Sequence, residues 1–154
     1  MTYTNKKIRF LLNLMVLLFA VNFMTAQQKA SKNSTPTEEI NFRNSSWKEV
    51  TAEAKKSGKT IFVDAYTSWC GPCKLLKQTT FKDKMAATYF NKSFINYTVD
   101  MEKGEGIQLA KDWKVNSYPS LLFFNSDGKM VLKQIGYVDG KRLTELGKEA
   151  LAKK

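Results

Sequence analysis

Residues 59–74 read Lys59-Thr60-Ile61-Phe62-Val63-Asp64-Ala65-Tyr66-Thr67-Ser68-Trp69-Cys70-Gly71-Pro72-Cys73-Lys74. The stretch 59–66 has the apolar, β-branched character of a buried strand, and Gly71-Pro72 opens a helix, because proline in a first helical turn loses no hydrogen bond. Two thiols separated by two residues thus stand where a strand gives way to a helix. There they can close a small disulfide ring and reopen it without moving the fold, the pattern of a redox pair. Cys70 falls at the helix N-terminus, where unpaired N–H groups and the positive dipole end favour a thiolate. Cys73, one turn further in, is expected to be more buried and protonated, so Cys70 attacks and Cys73 resolves. Half of a zinc site and a static structural disulfide are the competing readings. The first lacks ligands, since the chain holds 2 Cys and no His; the second is out of place at the exposed mouth of a strand–helix turn.

Asp64 lies inside the apolar strand, six residues before Cys70. A lone carboxylate there is costly. Burial is expected to raise its pKa, and an acid so tuned near Cys73 can accept that thiol's proton, directly or through water. The alternative is a strand-end Asp that faces water. The lack of His also removes imidazole-based hydrolases and His-ligated haem. A length of 154 residues with 43% apolar composition suits one domain with its own core.

Working outward, Ser46-Trp47-Lys48-Glu49 has capping-box spacing, which predicts a helix to about Lys56 that stops near Gly58. Residues 94–99, 120–125 and 129–135 read as strands, the last two a hairpin through Ser126-Asp127-Gly128. Residues 106–113 and 141–152 suit helices, the second with Leu143, Leu146, Ala150 and Leu151 on one face. After the cysteines, Leu75 and Leu76 share one helical phase whereas Phe81, Met85 and Tyr89 fall on another, with Asp83 available as a cap. Helical pieces are therefore expected over about 71–79 and 84–91. Tyr118-Pro119 precedes an apolar strand, where spacing alone favours an ordinary trans turn over a cis bond.

The N-terminal segment reads as an address. Lys6, Lys7 and Arg9 precede the apolar run Phe10 to Phe23, a signal-peptide layout. A run of about 14 residues covers roughly 21 Å as a helix, short of the roughly 30 Å hydrocarbon core. Residues 1–26 are thus expected to be a signal peptide cleaved after Ala26, with an uncleaved anchor as the alternative, and the polar residues 27–39 a flexible linker before a domain at 40–154. Without residues 1–26 the chain keeps 22 basic and 14 acidic residues, a formal charge of +8. The lysines are spread along the chain and form no stripe for phosphates, so no nucleic-acid partner is expected.

Val63-Asp64, Trp69 to Lys74, Tyr118-Pro119, Asp127-Gly128 and Gly136 together resemble the thioredoxin superfamily over roughly residues 40–154. The resemblance implies an α/β thioredoxin fold, a central mixed sheet flanked by helices. It assigns Cys70 as nucleophile, Cys73 as resolving thiol, Asp64 as buried acid and Pro119 as a cis-proline facing the disulfide. It also implies that Trp69, Gly71, Pro72, Tyr118 and Gly136 line a groove for an extended substrate, and that the cis-proline keeps metal off the thiols. Asp64 to Trp69 and the Thr80-Phe81 break look more like the soluble domain of DsbD-type thiol reductases than like cytosolic thioredoxin. Cytosolic thioredoxins carry a Lys beside the buried acid on the third strand; Asn96 is expected to stand there, leaving Asp64 without that charge partner.

The function expected is a secreted or periplasmic, monomeric thiol–disulfide oxidoreductase that reduces protein disulfides. It needs no cofactor beyond its own cystine and no metal, and the resemblance implies a membrane thiol-electron transporter as its reductant. Two alternatives remain open at this point. Tyr118 before Pro119 is similar to protein disulfide isomerases while Gly71-Pro72 is similar to reductases, so an oxidase or isomerase could use the same pair. A non-catalytic binding module could keep the fold alone.

Overall fold

A computed structural model describes residues 39–153. The expected signal peptide, and the linker up to residue 38, lie outside the described residues. Helix α1 (Trp47–Ser57) starts at Ser46, whose hydroxyl accepts from the Glu49 N–H while Glu49 reaches back to the Ser46 N–H at 2.8 Å. It ends at Gly58, in the left-handed conformation that a glycine adopts without a Cβ clash. Strand β1 (Thr60–Tyr66) follows. Helix α2 (Gly71–Gln78), a 3-10 turn (Thr80–Lys82) and helix α3 (Lys84–Ser93) lead to strand β2 (Phe94–Asp100). Helix α4 (Gly106–Asp112), the hairpin of β3 (Ser120–Phe124) and β4 (Met130–Ile135), and helix α5 (Gly140–Ala152) complete the order.

The strands form one mixed sheet in the order β2-β1-β3-β4. β1 and β2 are parallel, with Asp64 opposite Thr98; β3 runs antiparallel to β1, and β4 antiparallel to β3. The parallel pair needs a crossover, which α2 and α3 supply.

Side chains alternate along a strand, so β1 sends Ile61, Val63 and Ala65 to one face and Phe62 and Asp64 to the other. The first three pack with Val50 and Ala54 of α1 and Leu109 of α4. Phe62 packs with Leu76 of α2, Phe90 of α3 and Leu143 and Leu146 of α5. Helices thus cover both faces, which explains why all of β1 reads as apolar. The same alternation places Asp64 on the face that α2 covers, and α2 carries Cys73. The sheet and helix order match the fold class read from the sequence.

Candidate active site

The backbone of α2 is built around its own cystine. Cys70 is the N-cap residue in extended conformation, its Sγ accepts a hydrogen bond from the Cys73 N–H at 3.1 Å, and Pro72 occupies the first turn. Cys70 and Cys73 form a disulfide with their Cα atoms 5.3 Å apart. The expected contrast in burial is not seen in this oxidised state: Cys70 is 2% exposed and Cys73 1%. The helix N-terminus supplies what a thiolate at Cys70 needs after reduction, a donated N–H and the positive end of the dipole.

Four segments meet around the pair. Trp69 is 64% exposed, and its ring stands edge-on to Tyr118 with centroids 5.9 Å apart. The Trp69 indole N–H donates to Glu102 at 2.9 Å, tying the ring to the loop after β2. The Tyr118-Pro119 bond is cis. This corrects the trans turn favoured by spacing and agrees with the resemblance. The Pro119 carbonyl accepts from the Gly136 N–H at 2.9 Å, and Gly136 has φ +91, open to glycine and strained for other residues. Gly71 and Pro72 lie exposed at the start of α2. A Trp–Tyr rim with a proline loop beside a helix-capping cystine makes a shallow surface on which an extended chain can lie.

Asp64 is fully buried beneath this surface. Burial pushes its carboxyl up to about 6, against the pull of the Lys77 charge and a hydrogen bond from Thr98. The Thr98 hydroxyl donates to Asp64 Oδ2 at 3.0 Å, and Oδ1 has no hydrogen-bond partner among the described residues. The register puts Thr98 directly opposite Asp64, with Asn96 two residues earlier on the same strand. Asn96 pairs with Phe62, and its amide nitrogen reaches the Asn41 carbonyl and Asn91 Oδ1. Asp64 does have a charged neighbour, Lys77, supplied by the helix rather than the third strand. Thr98, Lys77 and Glu102 escaped the sequence reading. Only Lys77 carried a local signal, sharing a helix face with Cys73 one turn earlier.

A family model for the thioredoxin-like domain matches residues 47–151. The chain belongs to the thioredoxin-like family. It is 32% identical over 90 residues to a thioredoxin of Mycoplasmoides gallisepticum, which covers 58% of this chain and 83% of that protein. To the thiol:disulfide interchange protein DsbD of Campylobacter jejuni it is 32% identical over 124 residues, 80% of this chain but 21% of the relative, so it spans about a fifth of that protein. A solved structure of a candidate disulphide-isomerase from Bacteroides thetaiotaomicron superposes with a TM-score of 0.67 at 42% identity, over 78% of this chain and 99% of that one. The thioredoxin-like chain is accordingly a thiol–disulfide oxidoreductase whose redox pair is Cys70–Cys73. Among the described residues, no helix is long and apolar enough to cross a membrane.

Proposed function

We propose that the thioredoxin-like domain is exported and reduces protein disulfides, with Cys70 as nucleophile, Cys73 as resolving thiol and Asp64 as the base that releases Cys73. The observation that carries the reading is the cystine at the N-terminus of α2, where the Cys73 N–H already points at Cys70 Sγ. After reduction, the Cys70 thiolate attacks one sulfur of a substrate disulfide; the Cys70–substrate bond forms as the substrate S–S bond breaks, and the other substrate sulfur leaves with the electron pair as a thiolate that takes a proton from solvent. Asp64 takes the Cys73 proton, and Cys73 sulfur attacks Cys70 Sγ. The Cys70–Cys73 bond forms as the Cys70–substrate bond breaks, and the electron pair leaves on the substrate thiolate, which takes a proton from solvent. Trp69, Gly71, Pro72, Tyr118, Pro119 and Gly136 present the groove on which the substrate strand lies. The signal-peptide layout of residues 1–26 supports export to the periplasm or beyond. Similarity to DsbD supports re-reduction by a membrane thiol-electron transporter. In this reading the chain acts as a monomer and uses its own cystine as the redox group.

The candidate disulphide-isomerase relative favours a second reading, in which the pair runs as an isomerase or oxidase. The reduction potential of the chain from residue 27 onward, equilibrated against graded thiol buffers, separates the two. A value near roughly −270 mV supports a reductase; one at or above about −180 mV reverses the direction of electron flow. Cys70→Ser should abolish exchange, and retained exchange in that variant overturns the mechanism.

A further inference from the structure

A cleft of about 470 Å³ opens beside the buried acid, and neither Trp69 nor Tyr118 is among the residues that line it. Its lining includes Lys77, Thr98, Glu39 and the apolar residues Ile40, Phe42 and Phe81. Thr98 therefore does two things: its hydroxyl donates to Asp64 Oδ2 and its side chain forms part of the cleft wall. Lys77 is on the same wall, and its ammonium nitrogen stands 3.3 Å from the centroid of the Tyr66 ring. Tyr66, two residues after Asp64 on β1, shares its face of the sheet. A cation over an aromatic face is held there by the ring quadrupole. The exposed amine of a flexible side chain is thus kept on the Asp64 side of α2 rather than sweeping through solvent.

We propose that Lys77, clamped on Tyr66, is a positioning residue for disulfide exchange: it supplies the counter-charge for the Asp64 carboxylate, and Thr98 connects that carboxylate to the cleft through which its proton returns to water. The proposal rests on Asp64 serving as base to Cys73. In the cycle, the proton taken from Cys73 sits on Asp64 when the Cys70–Cys73 bond closes. It must leave before the next round, and Trp69 and Tyr118, on which the substrate strand lies, are not among the residues that line the cleft. The path along Thr98 to the cleft stays open then, and the Lys77 charge favours the carboxylate that remains.

The other charged groups nearby are few. On β2, Asp100 follows Thr98 and acts on Tyr66, as does Lys103 beyond it; Glu39 stands on the cleft wall; β3 places Leu121, uncharged, opposite Asp64. Among the charged groups of the described residues, Lys77 is the one that acts directly on Asp64, and it opposes the effect of burial.

The test follows the Asp64 carboxyl carbon by NMR against pH, at low ionic strength because an exposed ammonium is readily screened. It uses the oxidised chain from residue 27 onward, which contains the whole described domain with both faces of its sheet covered. The proteins are the parent, Lys77→Met, Lys77→Arg and Tyr66→Leu, with Lys111→Met as a distant-charge control. Lys77 is exposed, so its replacement leaves the core intact. The expected result is a midpoint moved to higher pH in Lys77→Met, part of that move in Tyr66→Leu, and none in Lys77→Arg or the control. The pH profile of exchange should shift with it, so that Lys77→Met is several-fold slower at pH 7 and regains the parent rate at higher pH. A folded Lys77→Met protein whose Asp64 titrates as in the parent overturns the proposal. A moved midpoint with an unmoved exchange profile overturns instead the role of Asp64 as base, and with it the positioning role of Lys77.

Discussion

Asp64 lives in conflict with its surroundings, and its protonation should be visible in stability. Burial raises its carboxyl to about 6, above the value of an unfolded chain, so the fold favours the neutral acid. The contribution is fully present below the pKa of the unfolded carboxyl and is lost as pH rises through about 6; a shift of that size corresponds to about 3 kcal/mol. Asp64→Asn keeps the shape and removes the charge. It should raise the unfolding free energy by about 2 kcal/mol at pH 8 and hardly change it at pH 4, as read by urea unfolding at the two pH values. The same variant should slow exchange at pH 7. The burial of Asp64 was legible from the apolar run around it. Its partner was not, because Thr98 meets Asp64 only through the register of a parallel pair, Thr60 opposite Phe94, and nothing local in either strand sets that register.

The break between α2 and α3 shows what elements disclose about themselves. The shift of apolar phase after Leu76 and the cap at Asp83 were both readable, and the Asp83 carboxylate does accept from the Ala86 N–H at 2.9 Å. The 3-10 turn between the helices was not, since it depends on Thr80, whose buried hydroxyl donates to the distant Val138 carbonyl at 2.6 Å. That bond joins the break to the segment before α5. A Cβ on Gly140, the first residue of α5, would run into the Asp83 carboxyl group. The cap and the start of α5 therefore fit only as a pair. Asp83→Ala should cost about 1 kcal/mol, measured by urea unfolding, with faster amide exchange confined first to the start of α3.

At the scale of the whole molecule, one face of the sheet is an aromatic cluster centred on Phe62, with ring contacts to Phe42, Phe81, Phe90 and Phe123. Phe62→Ala should cost about 3 to 5 kcal/mol, while Met85→Ala, at a side chain 83% exposed, should change stability by less than about 0.5 kcal/mol; thermal unfolding of the two variants side by side checks the contrast. Strand alternation told which residues share a face, but not the ties between faces and loops. Glu105 is such a tie: its carboxylate accepts from the Trp47 N–H at the start of α1 and from the Tyr97 hydroxyl of β2. Three segments distant in sequence meet on one side chain, and no local pattern marks it. The absence of any cysteine outside the pair has a practical side. Unfolded in denaturant and treated with an alkylating reagent, the oxidised chain takes no label and the fully reduced chain takes two. A chain that carries one label has its other sulfur tied to something else, so a mass spectrum of a working mixture counts captured substrates without any antibody or tag.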